Sequence, residues 1–231
     1  HNTGPSRYGP PTGRKVVLWC VANCVALRNE IYDEWVVYDT ADLIRQLGFD
    51  LREKARAFGN QHAWDELSRG PASEPERLRG QGKPLYHPFS EGRFDPEDFL
   101  RAFYHNVWNC RMVGTVQQAC APGIRFRGST GRAFSGRSAY QTFVLSLLAT
   151  FPDLALRVDD VYWMGNDPDG YATSVRWSLQ GTHRGFGLYG PPTGRPVSMW
   201  GISQHRILGG VITEEWTFFN EFAVMQQIYR D

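Results

Sequence analysis

The sequence predicts an α+β fold, in which a curved antiparallel sheet wraps around helices and leaves a concave, cone-shaped cavity. Two observations predict it. From about residue 95 the pattern runs helix, strand, helix and then four strands joined by turn sequences such as "DPDG" and "LGG". The second observation is a long repeat. "YGPPTGR" begins at Tyr8 and again at Tyr189, an offset of 181 (189 − 8), and the match continues without a gap to the end of the chain. Trp19 falls on Trp200, Leu27 on Leu208, Glu34-Trp35 on Glu215-Trp216 and Gln46 on Gln227, while His1 lies near His183 with one residue of slippage. A period this long excludes a solenoid, whose repeats run roughly 20–50 residues. It predicts one complete copy over 95–231 and the C-terminal part of a first copy over 1–50, joined by a linker over 51–94. The absence of an initial Met and of a front half before Tyr8 leads to the expectation that the chain is a fragment of a longer protein.

Each element follows from local sequence. Residues 14–27 are β-branched and aromatic and read as a strand, "RNE" as a turn and 31–39 as the returning strand of a hairpin. Residues 40–50 have Thr40 as a cap, Leu43, Ile44 and Leu47 at helical spacing, and Gly48 as a stop. Residues 51–94 are dense in Gly, Pro, Ser and charge, with Trp64, Leu85 and Tyr86 available to dock on a domain surface. Asp95 and Pro96 open a helix over 95–121. A strand over 123–130 and a helix over 136–153, stopped by Pro152, come next. Four strands (154–165, 170–183, 195–208, 211–220) and a closing helix (221–229) complete the chain.

Composition excludes several classes. A net charge of +1 leaves no electrostatic footprint for nucleic acid. No apolar run approaches the ~20 residues of a membrane span, and no signal peptide is visible, so a cytoplasmic protein is expected. The four cysteines, at 20, 24, 110 and 120, have neither Cys-x-x-Cys nor zinc spacing and read as free thiols. "GFGLYG" matches Gly-x-Gly-x-x-Gly but is followed by Pro-Pro and a strand, which rejects dinucleotide binding. No Walker, Gly-x-Ser-x-Gly or His-Glu-x-x-His motif is present, so neither metal nor cofactor is expected.

Alternation along the last two strands gives candidate cavity faces. Met199, Gly201, Ser203 and His205 share one face, and Leu18, Cys20, Ala22 and Cys24 match them in the first copy. Glu214, Trp216, Phe218 and Asn220 share a face of the last strand, matched by Asp33, Trp35, Val37 and Asp39. Glu-Trp-x-x-x-Asp in the first copy thus becomes Glu-Trp-x-x-x-Asn in the second.

"FRGSTGRAFSGRSAYQTFVLSLLATFPDL", "VRWSLQGTHRGFGLYGPPTGRPV" and "GGVITEEW" resemble the SnoaL-like polyketide cyclases of the NTF2-like superfamily, in particular its tandem-domain members. The resemblance covers 95–231 in full and 1–50 as a tail. It implies an NTF2-like fold and a cofactor-free, acid/base aldol closure of a polyketide-like ester, in which a carboxylate removes a proton between two carbonyls. The family's acid/base Asp matches Asp39 in the first copy and Asn220 in the second. Asn is no base, so His205 is the substitute in the second copy.

Each candidate also has a structural reading. His205 is a general base or a satisfied buried histidine. His183 touches ligand or holds the loop after it. Trp108, Tyr140, Trp200 and Trp216 bind substrate or belong to the core. Arg176 enters the cavity or faces solvent. The competing functions are a cyclase, lyase or isomerase on a small molecule and a non-catalytic binding module. A third, an epoxide-hydrolase or ketosteroid-isomerase type, lacks its residue set. The expected partner is a small molecule, with tandem domains paired across their sheets or a homodimer in their place.

Overall fold

The computed structural model describes residues 1–61 and 84–231. The chain begins with a hairpin, β1 (Cys20–Leu27) and β2 (Glu30–Tyr38), turned by Arg28 and Asn29 at positive φ. Helix α1 (Thr40–Leu47) follows, capped by Asp39 rather than Thr40, and ends on Gly48 at φ 89°. Helix α2 (Leu51–Gly59) lies where the composition suggested linker. Asp50 caps it, accepting from the Glu53 amide at 2.6 Å, and Gly59 lets it close on the C-terminal helix, since a Cβ there would stand 2.6 Å from the Gln226 carbonyl. Trp64 falls outside the described residues. Leu85 does not dock: it is 86% exposed.

The single helix expected over 95–121 breaks into pieces. Asp95 caps α3 (Pro96–Tyr104), which widens into a π-turn at His105–Asn109. Arg111 then takes a left-handed φ of 61°, and its guanidinium donates to the carbonyls of Trp108, Asn109, Pro152 and Leu154. Asn109 mimics a strand residue, exchanging two 2.8 Å bonds with the Leu156 backbone. These bonds tie the helix end to the sheet and stop it there. A short 3₁₀ turn and α4 (Val116–Ala119) lead into β3 (Cys120–Gly128) and a short β4 (Arg132–Ser135), which the sequence reading missed. The rest is α5 (Arg137–Thr150), β5 (Ala155–Asn166), β6 (Gly170–Thr182), β7 (Pro196–Leu208), β8 (Val211–Phe219) and α6 (Glu221–Tyr229).

The main sheet has the order β4-β3-β8-β7-β6-β5. All its pairings are antiparallel except β3 with β8, so the sheet is mixed rather than wholly antiparallel. Its inner face closes on α3 and α5 around a core that includes Leu100, Phe103, Val144, Leu147 and Ile124. The β1–β2 hairpin packs on the outer face. Val21 and Val37 meet Ile202 and Phe218 there, and each such side chain contributes about 1.5–3 kcal/mol by burial. Trp19 stacks on Phe218, and Trp35 packs edge-on against Trp200 with ring centroids 5.7 Å apart.

Local bonding recurs at the offset seen in the sequence. Gln46 exchanges two bonds of 2.8 Å with the Val17 backbone, and Gln227 exchanges two of 2.9 Å with that of Ser198. Asp39 accepts from the Asp42 amide and Asn220 from that of Ala223. The Asn2–Arg14 backbone pairing recurs as His183–Arg195, so Asn2, not His1, stands in the place of His183.

Candidate active site

The site is built where β6, β7 and β8 face α3 and α5. Directly opposed residues share a face of a sheet, and the register pairs Gly201 with Phe219, Ser203 with Thr217 and His205 with Glu215. Trp177 lies opposite Gly201 on the other side of β7. A Cβ on Gly201 would come within 2.4 Å of the Trp177 ring, so glycine is what lets the indole lie flat across β7. From there the Trp177 Nε1–H donates to Ser203 Oγ at 3.0 Å.

Glu215 sits at the cavity floor and is only 3% exposed. Tyr140 donates to its Oε2 at 2.8 Å, and Thr217 donates to its Oε1 at 2.5 Å. Burial pushes the carboxyl up to about 7, and the two donated bonds pull the other way. His205 is equally buried, with Nδ1 3.0 Å from Thr173 Oγ1 and Nε2 3.2 Å from the Tyr104 hydroxyl. Burial pulls it down to about 3, so at neutral pH a neutral imidazole stands 3.9 Å from Glu215 Oε2 and the two do not form an ion pair. Burial, reinforced by Glu215, raises Tyr104 and Tyr140 well above the usual phenol value, so both remain donors.

Above this floor the lining is apolar: Trp108, Phe143, Leu147, Leu156, Leu179, Met199 and Phe219. The enclosed space is about 20 Å³, room for one water. A ligand of any size must displace these side chains.

The structure brings three predicted residues together here: His205, Trp108 and Tyr140. It places six elsewhere. Asn220 is exposed and caps α6, accepting from the Ala223 amide at 3.1 Å. Asp39 caps α1 and also accepts from the amides of Thr130 at 2.9 Å and Gly131 at 3.4 Å. It thereby holds the β3–β4 turn, in which Thr130 has a φ of 62°. Trp200 and Trp216 lie on the outer face against the hairpin. Arg176 is on that face too, over the Trp35 ring at 4.0 Å and 3.6 Å from Asp160. His183 is buried against Phe151 and Tyr189, and its Nδ1 bonds Thr193 Oγ1 at 3.1 Å, which ties the two ends of the loop over 183–195.

Sequence reasoning missed Glu215, Tyr104, Thr217 and Ser203 as a cluster. The cause is a bulge. Arg206 pairs with Glu214 and Ile207 with Ile212, so Thr213 has no partner and every later residue of β8 changes face. Counting back from His205 through the "LGG" turn leads to the wrong glutamate unless this extra residue is known.

Among the described residues no cluster of three or more His, Cys, Asp or Glu is placed to hold a metal ion. No helix of the described residues is long and apolar enough to cross a membrane.

A curved sheet closed around helices, with ionisable groups buried at its base, is the α+β frame of the site. The family model for SnoaL-like polyketide cyclases matches residues 99–228, more than half of the chain, and the chain belongs to that family. It is similar in fold to a structure described as a SnoaL-like polyketide cyclase from Jannaschia sp. CCS1, with 21% identity and a TM-score of 0.53 over 61% of this chain and 99% of the other. IdmH of Streptomyces antibioticus, described as a polyketide cyclase, is 24% identical over 58% of this chain and 98% of its own, with a TM-score of 0.49. A Catenulispora acidiphila protein with a ketosteroid isomerase-like fold is 14% identical over 60% of this chain and 96% of its own, with a TM-score of 0.47. Comparison with curated proteins gives no match.

Proposed function

We propose that the domain catalyses a cofactor-free, acid/base ring closure of a polyketide-like small molecule, with Glu215 as the base. In this scheme Glu215 takes a proton from the carbon between two carbonyls. The C–H pair passes into an enolate, whose oxygen accepts hydrogen bonds from Tyr140 or from the Tyr104–His205 pair. The enolate carbon attacks a second carbonyl, a C–C bond forms, and the new alkoxide receives the proton back from Glu215. A base tuned to the working pH is the efficient one. The observation that carries the reading is a carboxylate held near neutrality in an apolar cavity, beside an imidazole that stays neutral.

The test is loss of α-deuterium from a 2-deuterated 3-oxo ester, followed by NMR. Wild-type protein should accelerate the exchange and Glu215→Gln should not. Equal exchange by both proteins would overturn the assignment.

The size of the cavity favours a second reading. With about 20 Å³ of free space, a non-catalytic binding module that opens for its ligand also fits. It predicts saturable binding of aromatic polyketide-like compounds without exchange or turnover.

We further propose that residues 1–50 are the C-terminal part of a second unit of the same fold, paired with the complete unit across the outer face of its sheet. The repeated caps and glutamine clamps support this.

A further inference from the structure

Glu215 receives its Thr217 bond through a chain of hydroxyls that begins at an indole. Trp177 Nε1 lies 3.0 Å from Ser203 Oγ, which lies 2.7 Å from Thr217 Oγ1, which lies 2.5 Å from Glu215 Oε1. All four residues are at most 8% exposed, so water does not compete for these bonds. The two ends fix the direction. An indole N–H can only donate, and an ionised carboxylate can only accept. Thr217 has one hydroxyl proton, and the carboxylate takes it. The Ser203–Thr217 bond must then be donated by Ser203, whose own oxygen accepts from Trp177. All hydroxyl protons therefore point toward Glu215.

We propose that Trp177 is a positioning residue: its indole N–H sets the direction of the relay Trp177→Ser203→Thr217→Glu215 and so keeps a hydroxyl proton aimed at the carboxylate. The inference rests on Glu215 being the base, as proposed above. If the indole N–H is removed, the Ser203 oxygen loses one of the two donors beside it and keeps only the Tyr104 hydroxyl. Thr217 can then turn its proton to Ser203, and Glu215 Oε1 loses a bond that favours the charged form.

This gives a signature that packing alone does not. Trp177→Phe should raise the titration midpoint of Glu215. Adding Ser203→Ala should bring it back, because Thr217 then has no acceptor except Glu215. Ser203→Ala alone should leave it in place, and Thr217→Val should raise it.

The experiment is a pH titration of the Glu215 carboxyl by ¹³C NMR on full-length protein labelled at glutamate Cδ. The resonance is assigned by its absence in Glu215→Gln. The expected shift is roughly one pH unit upward in Trp177→Phe and Thr217→Val, with return to within a few tenths of a unit of wild type in Trp177→Phe/Ser203→Ala. Benzothienylalanine at position 177, which keeps the ring shape and lacks the N–H, should reproduce the upward shift even where phenylalanine disturbs folding. A midpoint unmoved by benzothienylalanine, or a shift that persists in the double variant, overturns the relay. The titration does not depend on turnover, so it stands apart from the exchange assay: failure of Glu215→Gln to lose exchange sinks the catalytic reading and leaves the relay intact.

Discussion

Glu215 Oε2 and His205 Nε2 lie 3.9 Å apart on neighbouring strands, yet burial drives their protonation equilibria in opposite directions, to about 7 and about 3. A carboxyl and an imidazole that would exchange a proton in water each keep their own here. The pair offers a base near neutrality and, beside it, a hydrogen-bonding ring that carries no charge.

Activity should rise with pH through about 7, as Glu215 ionises. Glu215→Gln should lower the exchange rate by about 10²–10⁴-fold, the usual range for a positioned base. The rate–pH profile between pH 5 and 9 checks both statements.

The same two groups should tilt stability against pH in opposite senses. The Glu215 carboxyl is raised from 4.5, so its contribution is full below about 4.5 and is lost as pH rises to about 7, on the order of 3 kcal/mol in all. His205 is lowered from 6.5, so its contribution is full above about 6.5 and is lost as pH falls toward about 3. Thermal midpoints across pH 4–8 should therefore show Glu215→Gln gaining on wild type as pH rises. His205→Asn should gain on wild type as pH falls.

Gly201→Ala should destabilise the domain by about 1–3 kcal/mol, because the new methyl would stand 2.4 Å from the Trp177 ring and 2.7 Å from the Phe218 carbonyl. Urea titration measures the loss, and Trp fluorescence should report the displaced indole.

Asp39→Asn should leave deuterium exchange unchanged. Asp39 caps a helix and braces the β3–β4 turn, and neither it nor its partners line the cavity, as Asn220 caps α6 in the matching place. A tenfold fall in exchange, with folding intact, would restore Asp39 to the chemistry.

Trp35→Ala removes the contacts with Trp200 and Arg176 and should loosen the hairpin before the main sheet, costing about 3–5 kcal/mol at most for the half-exposed indole. Amide exchange should speed up in β1 and β2 and remain slow in β7.

The helix and strand periods after about residue 130 were legible because they rest on local apolar spacing. Strands β5 to β8 and helix α6 lie within a residue or two of where alternation and turns put them. The break in the helix after Asp95 was not legible, because what ends it is distant. Arg111 and Asn109 spend their side chains on the backbone of residues 152–156, a contact that no local window contains. Helix α2 was obscured by the Gly- and Pro-rich composition of the stretch that follows it. In the site, His205, Trp108 and Tyr140 were found by residue type, whereas the face of β8 was misassigned. Alternation grouped Glu214, Trp216, Phe218 and Asn220 on one face, and the bulge at Thr213 makes that face the outer one. Trp216 is half-buried there, packed against the hairpin rather than the helices.

Thr213 makes of the Glu214–Glu215 doublet a selector switch. The two side chains are chemically identical, but one extra backbone residue sends the first outward to Arg125 and the second inward to Tyr140 and Thr217. Were Thr213 paired like its neighbours instead of bulged out, Glu214 would stand opposite His205 and the two would exchange positions, so the carboxylate at the floor of the cavity is specified by the bulge and not by the identity of the glutamate itself.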